Sequence, residues 1–137
     1  MQATLTSPTR EALENGDLGE PAQVLVVDDD ALSRTLMVEA LESRGYRAIE
    51  AQGGEEGLAL YRQRRPAVVI TDLHMPGMRG LELLRRLREI DPQVHVVLVS
   101  GYASLSLAIE AMKAGAADFL VKPFAAENLY LAVRGER

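Results

Sequence analysis

Four apolar runs in this chain end in residues that can do chemistry. Val24-Leu25-Val26-Val27 runs into Asp28-Asp29-Asp30, and Val68-Val69-Ile70-Thr71 runs into Asp72, with Leu73-His74-Met75-Pro76-Gly77 behind it. Val94 to Val99 leads to Ser100-Gly101, and Asp118-Phe119-Leu120-Val121 leads to Lys122-Pro123. Carboxylates outside any His-rich or Cys-rich set suit a hard cation. Mg²⁺ is usually held by one or two of them together with water and phosphate oxygens. Carboxylates brought together also repel, and raise one another's pKa unless a cation neutralises them. Asp72 is therefore a candidate nucleophile beside a metal. Ser100 offers a hydrogen bond, and Lys122 a positive charge, to an anion carried on Asp72. The set suits in-line phosphoryl transfer, where positioning and charge neutralisation do most of the work.

The chemistry requires that these residues meet, and the rest of the chain says how. Val24 to Val27 and Val68 to Thr71 are short, continuous and rich in β-branched residues, the pattern of a parallel strand buried on both faces, and the other two runs also read as strands. A helix is expected from about Ala31 to Arg44, with Leu32, Leu36, Ala40 and Leu41 on one face and Gly45 as its stop. Tyr46 to Ala51 reads as a weaker, edge strand. Gly53-Gly54 lead into a helix that ends near Arg64, before Pro66, and buries Leu58 and Tyr61. A helix from about Leu81 to Ile90 turns Leu84 and Leu87 inward and gives way to the turn Asp91-Pro92. Ser104 caps a helix carrying Leu105, Ala108, Ile109 and Met112 that Gly115 closes, and a last helix runs from about Ala126 to near Arg134.

Strand and helix alternate five times. This predicts an α/β fold, a flavodoxin-like (βα)5 doubly wound parallel sheet with strand order 2-1-3-4-5. Ligands of such sheets bind outside the carboxyl ends of the strands. Asp28, Asp29, Asp72, Ser100 and Lys122 then share one rim, with strands 1 and 3 about 4.8 Å apart.

Composition narrows the function. The 137 residues carry a net charge of -5, which argues against a nucleic-acid surface. The basic run Arg62-Gln63-Arg64-Arg65 complements a helix dipole instead. There is no cysteine, hence no disulfide or thiolate chemistry, and no apolar run long enough to span a bilayer. The N-terminus lacks a signal-peptide pattern, so a cytoplasmic location is expected. Residues 1–22 read as a mobile tail and 23–137 as one domain.

The motifs Val26-Val27-Asp28-Asp29, Asp72-Leu73-His74-Met75-Pro76-Gly77, Ser100-Gly101-Tyr102 and Lys122-Pro123-Phe124 fall in order at the right strand ends. Together they resemble the receiver domain of two-component response regulators, over about Gln23 to Arg134. The resemblance implies that Asp72 accepts a phosphoryl group from a sensor histidine kinase or phosphotransfer protein. It implies that Asp28, Asp29 and Asp72 hold Mg²⁺ with the backbone carbonyl of His74, and that Ser100 and Lys122 complete the site. The Lys122–Pro123 bond is expected to be cis, as X-Pro permits. Such a domain catalyses only its own phosphorylation and dephosphorylation.

By the same resemblance, Ser100 and Phe119 form a switch. The phosphoryl group draws Ser100 inward, Phe119 follows, and the face of helix 4, strand 5 and helix 5 changes, offering a surface for a homodimer. Phe119 lacks the hydroxyl of the Tyr often found there, so its buried rotamer leaves no polar group to satisfy. His74 and Tyr102 match positions that tune phosphoryl lifetime, with the His74 side chain expected to be exposed at the mouth of the site. Arg79 departs from the acidic or amide residue frequent at its position, outside the metal set. The run Ala108 to Ala116 is similar to receivers of transcriptional regulators. The last helix reads as short for the family, and a fragment of a longer regulator, its output segment beyond this chain, is favoured over a stand-alone receiver.

Plainer readings stand beside these. Asp28 and Asp29 could be capping acids, but two acids facing a third across the rim favour a metal; Asp30 is the expected N-cap. His95 begins a strand and reads as structural. An aspartyl-nucleophile phosphohydrolase would want Asp-x-Asp-x-Thr, and here Asp28-Asp29-Asp30-Ala31-Leu32 ends in Leu. No Gly-x-Gly-x-x-Gly follows strand 1, which excludes a dinucleotide fold of that type. An unphosphorylated interaction module usually lacks an acid or the lysine, and this chain keeps them all.

Overall fold

The computed structural model describes residues 22–102 and 104–136. The tail expected for residues 1–22 therefore lies, save Ala22, outside the described residues. Five strands and five helices alternate: β1 (Gln23–Val27), α1 (Ala31–Glu42), β2 (Arg47–Ala51), α2 (Gly54–Arg64), β3 (Val68–Asp72), α3 (Gly80–Ile90), β4 (His95–Ser100), α4 (Leu105–Lys113), β5 (Asp118–Val121) and α5 (Ala126–Arg134). The strands make one sheet in the order β2-β1-β3-β4-β5, every pair parallel, as the alternation predicts.

Successive side chains of a strand point to opposite faces, so each strand feeds two cores. Leu25, Val27, Val69, Val96 and Leu98 meet Leu58 and Tyr61 of α2 and Leu83, Leu84 and Leu87 of α3. Val24, Val26, Val68, Ile70, Val97 and Val99 meet Met37 and Leu41 of α1 and Leu129, Ala132 and Val133 of α5. Both faces are covered, which is why the central strands read as unbroken apolar runs.

Register then lines up the strand ends. Val27 lies opposite Thr71, Asp72 opposite Val99, and Ser100 opposite Val121. One step further along the first ladder sets Asp28 beside Asp72, and one step past Val121 is Lys122. Asp30 caps α1, accepting from the Leu32 N–H at 3.1 Å, and Ser104 caps α4, accepting from the Leu107 N–H at 3.3 Å. A Cβ on Gly80, the first residue of α3, would stand 2.3 Å from the Asp72 carbonyl oxygen. Glycine lets that helix start against the end of β3. The Lys122–Pro123 peptide is cis.

Two helices leave large apolar residues in solvent. In α1 the buried residues are Met37 and Leu41, while Leu32 and Leu36 are 68% and 57% exposed. The helix carries two neighbouring apolar rows, and a sheet covers only the row it touches. In α4 the buried residue is Ala111, with Leu107 and Ala114 partly buried, whereas Leu105, Ile109 and Met112 are exposed. Small side chains let α4 sit close to the sheet, and its large apolar residues point outward.

That distinction is measurable. Leu41→Ala should lower the unfolding free energy by about 2–5 kcal/mol, the cost of emptying a fully buried leucine site. Leu32→Ala should change it by less than about 0.5 kcal/mol. Urea midpoints for the two variants check this, and equal losses would contradict the burial assigned to α1.

Candidate active site

Asp28 follows β1 directly and is fully buried, and each of its polar atoms has a partner. Its N–H donates to Ala51 O at 3.1 Å, and its carbonyl accepts from Arg34 Nη1 at 2.7 Å. Its Oδ1 accepts from the Asp30 N–H at 2.9 Å, and its Oδ2 accepts from Lys122 Nζ at 3.1 Å. The same ammonium lies 3.6 Å from Asp72 Oδ1. Asp29 is exposed, yet it offers a carboxylate oxygen that falls with one from Asp28 and one from Asp72 inside a 4.8 Å cluster.

Three carboxylates against one ammonium leave two negative charges unmatched. Burial pushes the Asp72 carboxyl above the usual carboxylate range; Lys122 opposes the rise, and Asp28 and Asp29 add to it. The cluster could hold a metal ion, and its all-oxygen donor set suits a hard divalent cation.

Ser100, Lys122 and Phe119 sit on β4, just past β5 and on β5, at or near the same sheet edge. Ser100 is fully buried at the end of β4, its Oγ accepting from the Tyr102 N–H at 3.0 Å. Lys122 is set by a backbone bond from its N–H to Ser100 O at 2.7 Å. Thr71 Oγ1 donates to the Asp72 carbonyl at 3.0 Å, steadying the strand end. Phe119 is half-buried, faces Leu98 across the β4–β5 ladder, and packs against the core under α2 and α3.

His74 corrects the sequence reading. Its side chain is half-buried, not exposed, because its ring meets Tyr102 edge-on, with centroids 4.9 Å apart and planes at 75°. Its Nε2 is shielded and has no hydrogen-bond partner among the described residues. Tyr102 itself is 65% exposed and covers the histidine from outside. His95 is structural as expected, its Nε2 2.8 Å from Ala132 O near the end of α5.

Sequence reasoning missed Arg34, which reaches from α1 to the Asp28 backbone. The available signal was a lone basic residue one helical turn past the Asp30 cap. An arginine there reads as surface charge until the fold turns it back.

Comparison with known proteins agrees with this geometry. Residues 24–134 match the model of the response regulator receiver domain. The chemotaxis protein CheY of Thermotoga maritima is 38% identical over 103 residues, covering 74% of this chain and 86% of that protein. The C4-dicarboxylate transport transcriptional regulatory protein DctD of Rhizobium meliloti is 37% identical over 111 residues, covering 81% of this chain but 24% of that protein. Among solved structures, the CheX-CheY-BeF3-Mg²⁺ complex from Borrelia burgdorferi superposes with a TM-score of 0.82 at 30% identity, over 87% of this chain and 91% of that one. With the sheet order, the acidic edge and these matches in agreement, the chain belongs to the family of response regulator receiver domains.

Proposed function

We propose that Asp72 is the phosphoacceptor of this receiver, taking a phosphoryl group from a sensor histidine kinase or phosphotransfer protein in a Mg²⁺-dependent step. The observation that supports this most is the ammonium of Lys122 shared between Asp28 and Asp72, at 3.1 and 3.6 Å, with a third carboxylate in range. The cluster is short of positive charge, and a phosphoryl group would add more negative charge to it. Mg²⁺ would be held by Asp28, Asp29, Asp72 and the His74 carbonyl, and supplies the missing charge when bound.

The side chains do the rest. Ionised Asp72 attacks phosphorus, forming an O–P bond while the N–P bond to the donor imidazole breaks and the electron pair leaves with the nitrogen. Lys122 neutralises a phosphoryl oxygen, and Ser100 donates its hydroxyl proton to another. As Ser100 turns toward the phosphoryl group, its bond from the Tyr102 N–H would be stretched, which would loosen the start of the loop before α4. Phe119 would then shift, and the face of α4, β5 and α5 would change. Leu105, Ile109 and Met112 of α4 and Val121 of β5 already expose apolar area there, suited to a partner or a second copy. The family resemblance gives His74 and Tyr102, whose rings meet edge-on, a part in tuning phosphoryl lifetime.

A transcriptional output through a further segment is in line with the relative named as a transcriptional regulator. No helix among the described residues is long and apolar enough to cross a membrane, and we place the protein's action in the cytoplasm.

Incubation with Mg²⁺ and acetyl phosphate, read by intact mass, tests the acceptor. The wild type should gain one phosphoryl group; Asp72→Asn, or the wild type without Mg²⁺, should gain none. Lys122→Ala should slow the gain on the order of a hundredfold, as loss of one charge-stabilising donor does. No gain under any condition would favour an unphosphorylated interaction module.

The raised Asp72 carboxyl also has a consequence for stability. Between the ordinary carboxylate range and the raised value, the folded state binds more protons than the unfolded one. Stability therefore falls as pH rises through that window, and the penalty persists above it. Without Mg²⁺, Asp72→Asn should melt a few degrees higher than the wild type at pH 7. The gain should vanish in acid, where both forms are uncharged. A variant that melts lower at pH 7 would contradict the assigned burial cost.

A further inference from the structure

Arg34 touches none of the site's carboxylates, yet it is bonded to the backbone that carries two of them. From the first turn of α1 its guanidinium reaches back over the loop. Nη1 donates to the Asp28 carbonyl at 2.7 Å, and Nε donates to Glu50 Oε1 on β2 at 2.9 Å. The arginine side chain is only 12% exposed, and its bond to the Asp28 carbonyl is partly buried, while the Glu50 end of the pair is open to solvent. We propose that Arg34 is a positioning residue for the acidic edge, holding the Asp28–Asp29 peptide so that both carboxylates converge on Asp72. The inference rests on the reading of that edge as a Mg²⁺ site.

The geometry makes the backbone contact consequential. A trans peptide is planar, so fixing the direction of the Asp28 carbonyl also fixes the Asp29 N–H and the course of the chain through Asp29. Asp29 is exposed, and its place in the 4.8 Å cluster depends on where that backbone points. The other three polar atoms of Asp28 are held by Ala51, Asp30 and Lys122, from three different parts of the chain. Arg34 completes the set. It also ties α1 to two strands at once, since Glu50 pairs with Val26 in the β1–β2 ladder.

The contribution is geometric and not one of field. The positive charge of Arg34 is matched by Glu50, and the charges that dominate at Asp72 are those of Lys122, Asp28 and Asp29. A rigid planar fork can serve two acceptors in different directions, and a lysine ammonium on a flexible stem serves them poorly. Groups that orient metal ligands without touching the metal typically change metal affinity 10–100-fold when removed.

The test is calorimetric titration with magnesium chloride, at a temperature where circular dichroism shows every variant folded. The proteins are the wild type, Arg34→Met, Arg34→Lys, Glu50→Ala, and Leu41→Ala as a variant weakened far from the site. Arg34→Met should bind Mg²⁺ at least about tenfold more weakly, with part of the loss restored in Arg34→Lys. Leu41→Ala should keep the wild-type affinity despite its lower stability. If Arg34→Met does not fold, Glu50→Ala, which leaves the guanidinium untethered, should still weaken binding several-fold. Unchanged affinity in the Arg34 and Glu50 variants, or an equal loss in Leu41→Ala, would overturn the inference alone. Absence of Mg²⁺ binding by the wild type would overturn it together with the metal site.

Discussion

The Lys122 ammonium stands 3.1 Å from Asp28 and 3.6 Å from Asp72, at the edge where the parallel strands end. Both carboxylates are nearly closed to solvent, and a buried charge is tolerated only where it is paired and hydrogen-bonded. One ammonium for two buried acids, with Asp29 a third beside them, is a partial solution. It keeps the domain folded with these groups in place, and leaves the edge attractive to a divalent cation and to an anion that brings one. The arrangement depends on the sheet order: β1 and β3 must be neighbours for their acids to meet, and β5 must run parallel for its end to deliver Lys122 to the same rim.

The helices serve that edge in unequal ways. α2 and α3 bury large side chains and anchor the sheet, and α3 begins at a glycine set against the Asp72 backbone. α4 does the opposite: it packs inward through Ala111 and part of Leu107 and leaves Leu105, Ile109 and Met112 in solvent. A helix packed on little apolar area is the easier one to move. α4 follows the loop that leads on from Ser100 through Tyr102.

Much of this was legible in the residues. Unbroken runs such as Val24 to Val27 and Val68 to Thr71 specify strands covered on both faces, and the acids that follow or end them gather at one edge of the sheet. The cap at Asp30 was equally readable, and the cis bond before Pro123 was implied by the family resemblance. What the residues did not settle was which apolar side chains of α1 and α4 pack inward. Leu32 and Leu36 share a helical row that looks like a core stripe, but periodicity cannot say which of two adjacent apolar rows the sheet covers. His74 was misread because its partner, Tyr102, lies on another loop 28 positions later, and no local pattern joins them. Arg34 was invisible for a similar reason, since its acceptors are a backbone carbonyl and a side chain on β2.

The central claim is that Asp72, Lys122 and the acidic pair act as one site for a phosphoryl-like anion and its metal. Fluorine NMR with beryllium fluoride, a stable mimic of a carboxyl-bound phosphoryl group, tests it most directly. Bound fluorine signals should appear for the wild type only when Mg²⁺ is present, vanish in Asp72→Asn, and weaken sharply in Asp28→Asn and Lys122→Met. Signals that persist in Asp72→Asn, or that form equally well without Mg²⁺, would show that the acidic edge is not the site described.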